Sequence, residues 1–140
     1  MAHIVILGAG IGGLPAAFEM RAVLGREHRV TVVNATDTFQ FVPSNPWVAV
    51  GWRKPGQITL PLRPLLEKRG IEFIAQPVTR IDAAASQLVL GNGQNVGYDF
   101  LVIATGPKLA FDEVPGAGPG GHTHSICTVG HAEQAYEGWK

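Results

Sequence analysis

The apolar run His3-Ile-Val-Ile-Leu passes straight into Gly8, Gly10 and Gly13, a G-x-G-x-x-G spacing that leaves a chain few ways to fold. Gly8 lets a strand end in a tight turn, Gly10 presents no Cβ to a group lying on the backbone, and Gly13 lets the following helix sit close to the strand. The first amides of that helix have no carbonyl one turn back to bond, and they carry the positive end of the helix dipole. A pyrophosphate is well matched to such a site, so the stretch reads as a dinucleotide-binding fingerprint. A glycine-rich turn without a ligand is the alternative.

The surrounding residues supply the expected context. Between Gly12 and Leu24, the apolar Ala16, Ala17, Met20, Val23 and Leu24 recur at helical spacing, with Glu19, Arg21 and Arg26 available for a wet side. Pro15 falls in the first helical turn, where its missing N–H costs little, and Gly25 is placed to stop the helix. Arg29 to Val33 is a second β-rich run. Strand, glycine turn, helix and strand therefore follow in the order of a Rossmann-like α/β unit. The ribose-reading position, commonly acidic and about twenty residues beyond the fingerprint, is here Asn34. An amide can accept from and donate to ribose hydroxyls, but it has no charge to repel a 2′-phosphate. The motif alone does not choose among FAD, NAD and NADP.

A chain of 140 residues suffices for one domain with a real core. Eleven basic and eleven acidic residues give zero net charge without any block of one sign, which argues against nucleic acid or an anionic membrane as the main electrostatic partner. The single cysteine excludes an internal disulfide framework. No basic segment followed by an apolar one precedes the first strand, and the uncharged, aromatic-rich run Thr38 to Trp52 is too short to span a bilayer and is interrupted by Pro43 and Pro46. A soluble chain made in the cytoplasm without a signal peptide is expected.

Further along, Phe39-Gln-Phe-Val-Pro-Ser-Asn-Pro-Trp-Val-Ala-Val-Gly-Trp places Phe39, Phe41, Trp47 and Trp52 in a segment whose prolines and glycine oppose regular structure. It reads either as one wall of a flat aromatic cofactor or as a loop packed on its own domain. Leu60 to Arg69 reads as a short helix ended by Gly70, and Ile71 to Ala75 as a third parallel strand. The period then changes to two over Val78 to Asp82, Gln87 to Leu90 and Val96 to Tyr98, with Asn92-Gly93 as a hairpin signal, so a small antiparallel meander is expected on the parallel sheet. Phe100 to Ala104 reads as a strand buried on both faces, and Thr105-Gly106 as a small turn at its carboxyl end, where α/β sheets bind ligands.

Together, the fingerprint, the second strand, the meander and the Ala104-Thr105-Gly106 ending resemble the FAD-binding half of the flavoproteins with two dinucleotide-binding domains. Within that group, the Phe39–Val48 stretch, Ile103-Ala-Thr-Gly-Pro-Lys-Leu and Ser125-Ile-Cys-Thr-Val are similar to bacterial sulfide:quinone oxidoreductases. The resemblance implies FAD, with its pyrophosphate at Gly8, Ala9, Gly10, Ile11 and Gly12 and its ribose near Asn34 and Ala35. It further implies a flavin near Val42 and Pro43, an adenine near the backbone of Val78, and Thr105 and Gly106 lining the site. In this family hydrosulfide attacks a disulfide, a cysteine persulfide forms, and the flavin passes the electrons to a quinone. The FAD portion of a type II NADH:quinone reductase, that of a flavocytochrome sulfide dehydrogenase, and a nucleotide-binding module without chemistry are the alternatives.

The departures from the family pattern matter. A working disulfide needs two cysteines, and Cys127 matches an accessory one. It reads either as a small buried hydrophobe or as a residue with that accessory role. Residues 1–113 are expected to form the FAD-binding part, 114–124 a Gly/Pro-rich linker, and 125–140 the start of a segment leading to a second domain. On this reading the chain is an N-terminal fragment, inactive alone, whose bare surface favours self-association. Peripheral membrane attachment is expected only through a missing C-terminal region. His122, His124, Cys127 and His131 could in principle hold a metal, but they occupy a glycine-rich linker without ordinary zinc-finger spacing and match no metal site of the family, so none is expected.

Overall fold

The computed structural model describes residues 1–140. Along the chain run β1 (His3–Leu7), α1 (Gly13–Val23), β2 (Arg29–Asn34), β3 (Thr38–Gln40), α2 (Asn45–Ala49), β4 (Thr59–Pro61), α3 (Leu62–Glu67), β5 (Glu72–Ala75), β6 (Val78–Asp82), β7 (Gln87–Leu90), β8 (Asn95–Gly97), β9 (Phe100–Ile103) and α4 (Val129–Trp139). They fall into two compact units, Met1–Phe39 with Pro61–Gly106 and Gln40–Leu60 with Pro107–Lys140.

The first unit is built on a parallel sheet in the order β5-β2-β1-β9, with Ile4 opposite both Val30 and Phe100, and Val33 opposite Ile74. Apart from His3, Arg29, Thr31 and Asn34 the central strands are apolar, as suits strands covered on both faces. Ile4, Ile6, Val30 and Val32 point to one face, where Leu14 and Ala17 of α1 and Leu62 and Leu66 of α3 close over them. Val5, Leu7 and Val33 point to the other, against Leu88 and Leu90 of the antiparallel meander β6-β7-β8. Each fully buried Leu, Ile or Val side chain contributes about 1.5–3 kcal/mol. The fold is thus the expected α/β Rossmann-like one, with a parallel sheet and a small antiparallel meander.

At the amino ends of the strands the polar residues form a closed network. His3 Nε2 lies 2.7 Å from Thr31 Oγ1, Thr31 Oγ1 donates to Glu72 Oε2 at 3.0 Å, and Arg29 donates to both Glu72 carboxylate oxygens at 3.1 and 2.8 Å.

Several local expectations are corrected. β9 is an edge strand, and Phe100 and Ile103 are exposed rather than buried on both faces, because only β1 pairs with it. On α1 the small Gly13 and Ala17 and the larger Leu14 face the core, whereas Val23 is exposed. Arg21 does not join the wet side: it turns back and donates to the carbonyls of His28, Leu24 and Gly25, closing the end of the helix that Gly25 was expected to stop. At the hairpin signal only Gly93 has positive φ, at +83°, so this is not the two-residue turn with both central residues left-handed.

In the second unit the proline-rich stretch is more regular than expected. Val42–Ser44 forms a 3-10 turn that leads directly into α2, where Pro46 occupies the first helical turn and its missing N–H leaves no acceptor wanting. Phe41, Trp47 and Trp52 remain exposed. Here the core is small, consisting of Val48, Ile58 and Ala132 with Ala49 and Val129 packed on it. Asn45, fully buried, accepts from Gln40 Nε2 at 2.8 Å and donates to the Ile126 carbonyl at 2.9 Å. Thr128 caps α4 by accepting from the His131 amide at 3.1 Å.

Candidate functional site

The carboxyl end of β1 and the start of α1 form the most specific site in the first unit. Gly8 is buried with φ +102°, a conformation L side chains rarely adopt, and its amide donates to the Val33 carbonyl at 2.8 Å. A Cβ at Gly8 would collide with the Ala104 carbonyl, and one at Gly13 would stand 2.9 Å from the Gly8 carbonyl carbon. Those two glycines are therefore required by the protein's own packing. At Gly10 and Gly12, by contrast, an added Cβ would meet no protein atom within 4 Å. Their absence of side chains leaves open space over the helix start.

The amides around that space are available. Leu14 and Ala16 donate to the carbonyls of Gly10 and Gly12, but no protein group accepts from the amides of Gly10, Ile11 or Gly12. Gly12 is the N-cap with no side chain bonded into the helix, and the first turn carries no acidic residue. Three free N–H groups, a helix dipole and no acidic residue in the first turn are chemically suited to an anion. Ala9 differs from its neighbours: it is buried, and its amide is committed to Asn34 Oδ1 at 3.0 Å.

Beside the helix start an open cleft of about 220 Å³ is lined by Leu7, Gly8, Asn34, Ala35, Pro77, Val78 and Thr105. The carboxyl ends of the parallel strands thus bring together Gly8, Asn34, Ala35, Val78 and Thr105 of the residues singled out from the sequence. Asn34 holds its place through both ends of its amide, accepting from Ala9 and donating to the Thr36 carbonyl at 2.9 Å. Gly106 follows with φ +73°. No charged side chain lines the cleft. Leu7 and Pro77 were not anticipated, although Pro77 has a signal in the sequence, being a proline just past a strand that leads to the ligand edge.

Val42 and Pro43 belong to the second unit, where they open the 3-10 turn before α2. Cys127 lies in that unit too, and it is exposed rather than a buried hydrophobe. Its amide donates to Ser125 Oγ at 3.2 Å, and that hydroxyl also pairs with His131 Nδ1 at 3.1 Å. No group of three His, Cys, Asp or Glu side chains is gathered anywhere in a geometry that could hold a metal.

Residues 2–140 match the pyridine nucleotide-disulphide oxidoreductase family. The chain belongs to that family. Among its relatives, the sulfide-quinone reductase of Aquifex aeolicus is 40% identical over 130 residues, covering 93% of this chain and 29% of the relative. The X-ray structure of the sulfide:quinone oxidoreductase of Aquifex aeolicus superposes with a TM-score of 0.91 at 38% identity, covering 99% of this chain and 32% of that one. The type II NADH:quinone oxidoreductase Ndh of Mycobacterium tuberculosis is 33% identical over 113 residues, 78% of this chain and 24% of the relative. The chain spans about a third or less of the length of these family members. The pyridine nucleotide-disulphide oxidoreductase family is one of redox enzymes, so the glycine turn and its cleft belong to an oxidoreductase fold. No helix is long and apolar enough to cross a membrane.

Proposed function

We propose that this chain is the FAD-binding part of a flavoprotein that oxidises sulfide and delivers the electrons to quinone. The observation that carries the nucleotide part is the pair of glycines, Gly10 and Gly12, that no protein contact requires, standing beside amides that no protein group uses. The Gly10, Ile11 and Gly12 amides would hold the pyrophosphate by direct hydrogen bonds, with the α1 dipole neutralising part of its charge. Asn34 and Ala35 would flank the ribose and the Val78 backbone the adenine, with Thr105 and Gly106 lining the site; in the second unit, Val42 and Pro43 are the residues that the resemblance sets near the flavin. When bound, FAD supplies a carrier that takes two electrons from a reduced sulfur donor and yields them to an acceptor. The chain's own part is to bind, orient and shield that carrier.

Sulfide and quinone as substrates are supported by the similarity to the sulfide-quinone reductase of Aquifex aeolicus. Cys127, exposed and single, is assigned an accessory role, and the chain alone is expected not to turn over, since one cysteine cannot supply an intramolecular disulfide. The exposed Phe41, Trp47, Val50 and Trp52 support self-association of the chain as isolated, which light scattering against concentration tests directly.

Titration of the purified chain with FAD, followed by quenching of flavin fluorescence with NAD and NADP as competitors, tests the cofactor. Saturable binding that neither competitor displaces is expected. Tight binding of NAD without binding of FAD would overturn the assignment. The similarity to the Mycobacterium tuberculosis NADH:quinone oxidoreductase favours a second reading, in which NADH is the reductant. Flavin bleaching by sulfide but not by NADH, in a protein carrying this chain together with the rest of its enzyme, separates the two.

A further inference from the structure

The ends of α1 and α3 bring three arginines to one small surface cavity. Arg21, Arg26, Arg69 and Gly70 line an open space of about 220 Å³ in the first unit, and none of its lining residues is acidic. Two of the three guanidinium groups are fixed in place. Arg21 donates to the carbonyls of His28 at 2.9 Å, Leu24 at 2.9 Å and Gly25 at 2.5 Å. Arg69 lies over the Phe18 ring at 4.3 Å, which orients its plane while satisfying none of its N–H donors. Arg26 has no hydrogen-bond acceptor within the protein.

Of the neighbouring carboxylates, Glu67 pairs with Arg63 at 3.1 Å, while Glu27 is exposed beside Gly25, 3.4 Å from His28 Nε2. None of Arg21, Arg26 and Arg69 forms an ion pair, whereas Arg29, Arg63 and Arg80 each do. Gly70, with φ +70°, adds backbone without side-chain bulk at the rim. Arg69, oriented on Phe18 with its donors free, and Arg26, with no internal acceptor, offer guanidinium forks to a tetrahedral oxyanion, whose several acceptor oxygens match planar pairs of donors, while Arg21, its donors committed to backbone carbonyls, adds charge.

We propose that Arg21, Arg26 and Arg69 form a second anion site, separate from the glycine turn, that binds a phosphate-class oxyanion, either free or as the headgroup of an anionic lipid. Arg26 and Arg69 supply the ligand's hydrogen bonds. Arg21 supplies charge while it continues to close α1.

The test is a titration of the chain with inorganic phosphate at constant ionic strength, read in proton–nitrogen correlation spectra. The Gly70 amide and the arginine Nε signals report on this site, and the Gly10 and Gly12 amides report separately on the glycine turn. Saturable shifts at Gly70 are expected, with affinity reduced at least about tenfold in an Arg26→Gln/Arg69→Gln variant and partly retained in Arg26→Lys/Arg69→Lys. Both variants leave the Arg21 clamp intact, and an unchanged dispersion of backbone signals verifies their fold. A second arm measures co-sedimentation with phosphatidylglycerol vesicles against phosphatidylcholine vesicles. Vesicle binding lost in the Gln variant supports the site and assigns its phosphate to a lipid, while phosphate binding without vesicle binding supports it and assigns a soluble ligand. Shifts that chloride reproduces at equal ionic strength, the same affinity in the Gln variant, or no binding in either arm would overturn the proposal.

Discussion

His3 Nε2 lies 2.7 Å from Thr31 Oγ1, and because that hydroxyl gives its hydrogen to Glu72, the imidazole has to be the donor. The network therefore fixes a proton on Nε2. Burial, and then the Arg29 guanidinium, hold the His3 pKa below its ordinary 6.5. The Arg29 hydrogen bond holds Glu72 below its ordinary 4.5.

Both shifts have the same consequence for stability. Where a folded-state pKa is depressed, the unfolded chain binds the proton first as pH falls, so folding weakens on acidification. Stability is expected to be fully present near neutrality and to begin falling below about 6.5 as unfolded His3 charges. It should fall further below about 4.5 with Glu72. Denaturant melts across this range should show the upper step in the parent chain and lose it in His3→Gln. An upper step of equal size in that variant would show that His3 is not its source.

The glycines of the turn should separate by role. Gly10→Ala is expected to leave stability unchanged or raise it by about 0.4–1 kcal/mol, since its Cβ meets nothing in the protein, while weakening FAD binding at least about tenfold. Gly8→Ala combines positive φ with a collision at the Ala104 carbonyl and should cost about 2 kcal/mol or more of stability. Thermal melts paired with FAD titrations of the two variants test this. Equal loss of stability in both would refute the division.

Asn45 links Gln40 to the Ile126 carbonyl from a fully buried position. Asn45→Leu removes both bonds and leaves the Ile126 carbonyl facing an apolar group, at a cost of roughly 1–3 kcal/mol. Hydrogen exchange of α2 and α4 should quicken in this variant, and unaltered exchange there would count against the linkage.

Thr128 accepts from the His131 amide at the start of α4, and Thr128→Ala should lower stability by about 1 kcal/mol, whereas Thr128→Ser should nearly preserve it. Urea melts of the two variants distinguish loss of the cap from a general effect of substitution.

Much of the first unit was legible because its signals are local. The β1 run, the glycine spacing and the second apolar run dictate strand, turn, helix and strand from neighbouring residues alone. The exposure of Phe100 and Ile103 was not legible, since an apolar run on an edge strand reads the same as one in the centre. Position in the sheet is a property of pairing between distant segments. Arg21 was misassigned for a related reason: helical periodicity places a side chain on a face, but it does not reveal that the chain beyond the helix returns its carbonyls to within reach. In the cleft, the strand-end residues Gly8, Asn34 and Thr105 were readable from their place in the motif, whereas Pro77 carries only the weak signal of a proline just past a strand, and the path of the chain leaving β5 brings it to the lining.

β1 and β2 are apolar on both faces, and this bears on how the chain finds its register. Sliding one strand by a single residue would exchange one buried apolar set for another, so the alternation that aligns half-exposed strands gives little guidance here. Two features restore it. Thr31 finds its partners only when it faces His3 and Glu72, and the tight approach of Gly8 to Ala104 closes only when β1 and β9 end level. The polar strand ends and the glycine turn, rather than apolar alternation, therefore act as the gauge that distinguishes the native register from its neighbours.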